Sequence, residues 1–248
     1  MRVSIITVAY HSEECIGTAI ASVLQQKALG KNTIEYLIID GASRDKTVEV
    51  AESFRTALEA VGVEYRIISE PDKGIYNAMN KGITMATGDI IGILNSDDWY
   101  EEDTISKVVD TFGHTGCDLM FGNIRMHKRD GSTFVKKARL RSFQTSRDWN
   151  HPTMFVKASL YKACPFREKG IHDDYACYLQ MKSLGIKIIT VDKVLANFRM
   201  GGASNRKSLK DSIKRIRDRY VYCYRHNGYS RWYLIECIVI EAAKIILG

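Results

Sequence analysis

The sequence predicts an α/β fold built on a mostly parallel sheet, and three observations predict it. Short apolar runs alternate with longer stretches of helical spacing through the first part of the chain. Those runs are apolar at successive positions rather than at every second one. Three of the first four end in residues that include a carboxylate. A strand covered by helices on both faces reads as a continuous Ile/Val/Leu run, whereas a half-exposed strand alternates.

The elements follow in order. Strand-length runs occur at Val3–Val8, Tyr36–Ile39, Tyr65–Ile68 and Ile90–Leu94, and helical spacing occupies Glu14–Gln26, Lys46–Val61 and Ile75–Ala86. The pattern then changes. Leu119–Lys128 and Thr133–Arg139 flank Arg129-Asp130-Gly131, whose Asp-Gly step is a hairpin signal. A short strand at Thr153–Val156, a helix around Asp173–Leu184 and strands at Lys187–Val191 and Val194–Phe198 complete a mixed second half.

Composition sets the frame. The 248 residues are 45% apolar and 26% charged with only 3 prolines, which suits one domain with an appended helical tail. The six cysteines are scattered, with neither zinc spacing nor a disulfide framework, as for reduced thiols in the cytosol. Met1–Ala9 reads as a buried strand rather than a signal peptide, and no stretch is long enough to span a bilayer. The net charge of +7 is concentrated in the tail, where Ala203–Gly248 holds ten Lys/Arg against four acids. No nucleic-acid reading motif accompanies that charge, so nucleic acid is not expected as a partner.

In a parallel sheet, ligands sit at the carboxyl ends of the strands. The fourth run closes on Asn95-Ser96-Asp97-Asp98, and paired carboxylates there are costly to desolvate unless they hold a cation. A hard ion such as Mg²⁺ or Mn²⁺ takes one or two carboxylates plus phosphate oxygens. The competing explanation is that Ser96 or Asp97 caps a helix through Glu101–Asp103. Asp40 ends the second run, where it could hold a base edge or a ribose hydroxyl, while Ser43 and Asp45 suit helix capping. Glu70-Pro71-Asp72-Lys73-Gly74 leads into a helix bearing Asn77, Asn80 and Lys81, an arrangement suited to phosphate. Lys73 could equally be a solvated loop residue.

Together these segments resemble the inverting family 2 glycosyltransferases, which have the GT-A fold. The resemblance rests on Val3–Tyr10, Ile38–Thr47, Glu70–Gly74 with Asn77 and Asn80, and Gly88–Asp98, in the family's order and spacing. It implies a GT-A domain over residues 1–202, with a nucleotide-sugar half at about 1–100 and an acceptor half at about 101–202. Residues 203–248 follow as basic, amphipathic helices. The resemblance implies that Thr7, Ala9 and Tyr10 line the nucleotide pocket with Asp40 on the base, and that Asp72, Lys73 and Asn80 help to hold the nucleotide. Asp97, assisted by Asp98, would bind the metal, Mn²⁺ or Mg²⁺, beside Ser96. Asn95 departs from the family's D-x-D element, where a carboxylate is commoner. Asp174 aligns with the family's catalytic base, with Asp173 as the alternative and helix capping the competing role. His151 would contact the acceptor, and Arg199 would stabilise the leaving diphosphate.

The expected reaction moves one sugar from a nucleotide-sugar donor, a UDP-sugar first and a GDP-sugar second, to a glycan or lipid-linked acceptor. Surface-polysaccharide or envelope-glycan assembly is the expected setting. Processive relatives carry a Q-x-x-R-W signature; Arg231-Trp232 has Gly228 in place of the glutamine, which favours single addition. In the tail, Arg206, Lys207, Lys210, Lys214 and Arg217 share an arc of about 100° on a helical wheel. Leu234, Ile235, Ile238, Val239, Ala242, Ile245 and Ile246 form an apolar stripe on a second helix. Such stripes suit an anionic membrane surface, placing a cytoplasmic enzyme on the inner face of the membrane; the alternative packs the apolar stripe on the domain. Two other classes compete. A sugar nucleotidyltransferase would want a Gly-rich loop after the first strand, where His11-Ser12-Glu13-Glu14 stands. A non-catalytic nucleotide- or glycan-binding relative is favoured by Asn95 and opposed by Asp97 and Asp174.

Overall fold

The computed structural model describes residues 1–26, 34–201 and 209–247. Four parallel strands come first in the chain: β1 (Val3–Ala9), β2 (Ile34–Asp40), β3 (Glu64–Ser69) and β4 (Ile90–Asn95). The expected helices lie between them as α1 (Ile16–Leu24), α2 (Thr47–Ser53) with α3 (Arg55–Ala60), and α4 (Ile75–Met85). One helix was expected over 46–61; the break falls at Phe54, which packs on the core beside α1.

The second half supplies β5 (Trp99–Tyr100), α5 (Thr104–Thr115), the hairpin β6 (Leu119–His127) and β7 (Thr133–Lys136), then β8 (Phe155–Lys157). After it come α6 (Ala158–Ala163), α7 (Asp173–Ser183) and β9 (Ile188–Arg199). The sheet runs β3-β2-β1-β4-β8-β6-β9-β5, with β7 on β6. Its β3-β2-β1-β4 part is parallel and the β4–β8, β8–β6, β6–β7 and β9–β5 pairs are antiparallel.

Two local expectations change. The strands expected at 187–191 and 194–198 are one long β9, parallel to β6 with an irregular register around Asn123. Gly122 permits it: a Cβ there would lie 2.7 Å from Leu195 and 2.9 Å from the Lys193 carbonyl. The strand expected from Thr153 starts only at Phe155, because Pro152 sits in a 3₁₀ turn over His151–Thr153.

Both faces of the parallel strands are buried, which explains their continuous apolar sequence. Ile6, Val8, Leu37 and Ile39 face a core shared with α4 and α7, while Ile5, Tyr36 and Ile38 face one shared with α1 and α5. At the amino end of the sheet, Glu35 is buried and accepts from Ser4 and from Thr87 N and Oγ1. Those donors hold its carboxyl below the usual range despite burial.

The tail comprises α8 (Leu209–Asp218), a π-helical turn over Arg219–Tyr224 and α9 (Tyr233–Leu247). Cys223, Tyr224, Tyr233 and Cys237 join the core on the α7 side. The face of α9 turned to the domain carries Tyr233, Cys237, Ile240 and Glu241, and Glu241 accepts from Arg215 Nε at 2.8 Å. Of the expected stripe, Leu234, Ile235, Ile238, Val239 and Ala242 are exposed rather than packed on the domain, while the Ile245 and Ile246 side chains lie outside the described ones. Of the basic arc, Lys214 and Arg217 are exposed; Arg206, Lys207 and the boundary at 202/203 lie outside the described residues, as does the Lys210 side chain.

Candidate active site

The site forms along the carboxyl edge of the parallel strands. At the end of β4 the chain turns, with Asp98 N donating to Asn95 O at 3.1 Å, and enters β5 directly. Helix α5 begins only at Thr104, so neither Ser96 nor Asp97 caps it. Asp97 is half-buried and lines a cavity of about 560 Å³ together with Trp99, His127, Lys128, Arg129, Arg199, Met200 and Gly201. Burial raises its pKa, and the Arg199 guanidinium acts in the opposite direction. Asp98 is fully buried, and its carboxyl is pushed far up by burial and then by the charge of Asp97. Its partners are Arg199 N at 3.3 Å and the Asn95 amide at 3.5 Å.

These residues fit a divalent cation. Two adjacent carboxylates resist ionising together in a dry strand end, and Asn95 Oδ1 is buried without a donor. Positive charge would relieve both conditions. Among the described residues no group of three or more His, Cys, Asp or Glu side chains is assembled for a metal.

At the tip of β1, Tyr10 is 63% exposed and stacks on His11 at 4.2 Å. Gly41 brings the β2 and β3 loops together: a Cβ there would lie 2.7 Å from Asp72 Oδ2 and 3.2 Å from the Tyr10 ring. Asp72 accepts from Gly74 N, and Lys73 is exposed beside it. Tyr10 and Asp72 therefore meet at Gly41, with Lys73 next in the chain.

Several expected contacts are engaged elsewhere. Thr7 is buried, its hydroxyl 3.0 Å from Tyr36 Oη, because its position on β1 faces the core. Ala9 is also buried, and only its carbonyl reaches the edge, accepting from Gly41 N. Asp40 is buried and accepts from Ser43 N, Ser43 Oγ and Ser69 Oγ, so it braces the loop rather than presenting a free oxygen. Ser96 Oγ lies 2.9 Å from Ser12 Oγ and ties the β1 loop to β4. Asn80 is engaged by backbone: its amide donates to Phe166 O at 2.8 Å and accepts from Phe166 N at 2.9 Å. It latches α4 to the loop before α7.

That loop carries the two acids. Asp173 is buried and accepts from Lys169 N at 2.5 Å and from Gly170 N, closing the turn ahead of α7. Asp174 is half-buried in the first turn of α7. Its Oδ1 accepts from Tyr175 N at 2.8 Å and from the Tyr76 hydroxyl at 3.2 Å. The same hydroxyl lies 3.0 Å from Ile171 O, so its single proton is shared between the two acceptors. Asp173 thus supports the turn while Asp174 remains accessible.

His151 and Lys136 feel the charge of Asp174. His151 is buried with Nε2 lacking a partner, and burial lowers its pKa. Lys136 Nζ donates to Ser146 O and Trp149 O, and burial lowers its pKa to about 8. Tyr76, Lys136 and the cavity cations on the β6–β7 hairpin were missed by motif reading. Only the Arg129-Asp130-Gly131 turn hinted that basic residues would be held at a hairpin tip.

Known proteins share this fold. The family model for glycosyl transferase family 2 matches residues 4–172. The glycosyltransferase AglE of Haloferax volcanii is 30% identical over 135 residues, covering 54% of this chain and 43% of that protein. A PGL/p-HBAD biosynthesis glycosyltransferase of Mycobacterium bovis is 37% identical over 94 residues, 37% of this chain and 36% of its own. The chain spans less than half the length of these curated relatives. The structure of S. aureus TarS 1-349 in complex with UDP-GlcNAc superposes with a TM-score of 0.66 at 18% identity, covering 98% of this chain and 72% of that one. The mannosyltransferase PcManGT from Pyrobaculum calidifontis, in complex with GDP-Man and Mn²⁺, also gives a TM-score of 0.66 at 18% identity, covering 98% and 69%. At these identities the likeness carries the fold, which is GT-A.

Proposed function

The chain belongs to glycosyl transferase family 2, and on that premise we propose that it transfers one sugar, with inversion, from a nucleotide-sugar to an acceptor hydroxyl. The carrying observation is that the chain presents two carboxylates suited to the two roles, Asp97 and Asp174. One is a half-buried carboxylate at the β4 end, and the other an accessible one in the first turn of α7. The solved neighbours bound to UDP-GlcNAc and to GDP-Man support a nucleotide-sugar donor.

In this reading Tyr10 and the Asp72–Gly74 loop border the nucleotide, and Asp97, with Asp98 behind it, holds Mn²⁺ or Mg²⁺. When bound, that ion supplies positive charge to the leaving diphosphate. Arg199, held over the Trp99 ring at 5.6 Å, adds a second positive group on the same side. Asp174 takes the proton from the acceptor hydroxyl as it attacks the anomeric carbon from the face opposite the leaving group. Tyr76 orients that carboxylate. His151 is kept neutral by burial and lies on the acceptor side.

Calorimetry with UDP, GDP, dTDP and CMP, with and without Mn²⁺, tests the donor reading. One nucleotide should bind tightly only with the ion and only while Asp97 is intact. Equal binding after chelation and in Asp97→Asn would remove the metal from the proposal.

A membrane-surface setting is part of the same reading. No helix among the described residues is long and apolar enough to cross a membrane. On α9, however, Leu234, Ile235, Ile238 and Val239 are exposed beside Trp232 at the helix start, with basic Lys214 and Arg217 exposed on α8. Exposed apolar and basic groups on neighbouring helices suit an anionic lipid surface. Flotation with anionic vesicles, lost in Ile235→Asp and Ile238→Asp, is the expected result; flotation unaffected by these changes would exclude α9 as the contact.

A further inference from the structure

The cavity beside Asp97 has more positive charge than a donor diphosphate accounts for. Of its eight lining residues, four are basic or imidazole-bearing (His127, Lys128, Arg129 and Arg199), and Asp97 is the single acid. Among the described residues, none of the four forms an ion pair with a carboxylate. Rings and carbonyls hold them instead. The Trp99 ring packs against His127 at 4.6 Å and lies under the Arg199 guanidinium at 5.6 Å. Lys128 lies over Phe134 at 5.7 Å, and Arg129 Nη2 donates to Gly201 O at 3.2 Å. Lys128, Arg129 and Arg199 against the single carboxylate Asp97 leave the lining with excess positive charge, even though Arg199 is opposed by Asp97 and Lys128 by Asp130, and a concave wall of that sign favours an anionic occupant.

The placement of these groups separates two anions. A donor diphosphate bound with a divalent ion at Asp97 is largely neutralised by that ion, with Arg199 adjacent. Lys128 and Arg129 reach the same cavity from the tip of the β6–β7 hairpin, in the second half of the chain rather than from the parallel strands. We propose that this cavity receives a phosphoryl group borne by the acceptor, with Lys128 and Arg129 as its principal ligands; this assignment rests on the glycosyl-transfer reading above. A phosphoryl group is the better match than a carboxylate. Its tetrahedral oxygens accept from guanidinium forks and an ammonium arriving from different sides, whereas a planar carboxylate is saturated by one fork. The cavity, at about 560 Å³, has room for the phosphoryl group and part of what carries it.

The test begins with the whole chain saturated with Mn²⁺ and the nucleoside diphosphate that calorimetry selects, so that the donor subsite is filled. Two phosphate monoesters are then titrated: glucose 1-phosphate, and dihexanoyl phosphatidic acid kept monomeric. Binding of the first points to a soluble phosphorylated acceptor, and binding of the second alone points to a lipid-borne phosphate. The double variant Lys128→Ala/Arg129→Ala should weaken that binding by at least about tenfold, the scale of losing charge-assisted contacts, and leave nucleotide affinity within about twofold. The control Lys137→Ala/Lys193→Ala removes the same charge outside the cavity and should bind as wild type.

The assignment is overturned if neither ester binds the nucleotide-loaded protein, or if the double variant binds them unchanged. It is also overturned if that variant loses nucleotide affinity in step, since the hairpin cations would then serve the donor. If no nucleoside diphosphate binds even with Mn²⁺, the donor reading itself fails, and this assignment falls with it.

Discussion

The Tyr76 hydroxyl lies 3.2 Å from Asp174 Oδ1 and 3.0 Å from the Ile171 carbonyl, joining the first turn of α4 to the acid at the start of α7. The two residues are 98 positions apart in the chain. The contact gives the proposed base a fixed orientation from an element that also borders the nucleotide crevice.

Tyr76→Phe should therefore slow transfer without loosening the donor. A hydrogen bond to a charged group contributes about 1.5–3 kcal/mol, so kcat should fall by about ten- to a hundredfold while the donor KM stays near wild type. Steady-state kinetics in both substrates read this directly. A donor KM that rises with unchanged kcat would place Tyr76 in ground-state binding instead.

The two acids before Tyr175 should separate cleanly. Asp174→Asn should lower transfer by about 10²–10⁴-fold, the range for a general base, with the melting temperature and nucleotide affinity retained. Asp173→Ala leaves the Lys169 and Gly170 N–H groups without their acceptor and should cost about 1–3 kcal/mol in urea unfolding. Full activity in Asp174→Asn would shift the base role to another group.

Asn80→Ala tests the latch. It leaves both the N–H and the carbonyl of Phe166 without their partner, a loss of about 1–3 kcal/mol, and frees the loop that presents Asp174. Stability and kcat should fall together, with the nucleotide dissociation constant unchanged. A tenfold or so weaker nucleotide with unaltered stability would restore Asn80 to the donor site.

Lys136 sets a pH signature. Burial lowers its pKa from 10.5 to about 8, so in that window the unfolded chain holds more protons than the native one. Its contribution to stability is complete above the unfolded value and is lost as pH falls towards the native one. Lys136→Met removes the effect. The wild-type-minus-variant difference in urea midpoint should therefore grow as pH rises from about 8 to 10.5 and stay flat below. A pH-independent difference would mean that the ammonium is solvated in the native state.

Much of the site was legible because certain residue types are hard to explain at a strand end. Asp97 stands after an apolar run, Tyr10 at the tip of β1, and the Asp173-Asp174 pair at a helix start; each lies where its motif put it. Thr7, Asp40, Ser96 and Asn80 carried the same kind of signal, but their polar atoms are satisfied inside the protein, by Tyr36, Ser43 with Ser69, Ser12 and Phe166. Motif spacing places a residue at an edge without saying which way its side chain turns.

What the sequence alone determined was the parallel layout of the first four strands and the line of ligand-facing termini along one edge. Burial on both sheet faces demands unbroken apolar runs, and such runs are local. Tertiary structure decided which polar groups are exposed at that edge and which brace loops, that α9 turns Glu241 inward and its aliphatic stripe outward, and that Lys128, Arg129 and Arg199 line one cavity with Asp97. Those outcomes depend on partners brought together from distant segments, where hydrogen-bond satisfaction and desolvation act between chain positions that no local pattern relates.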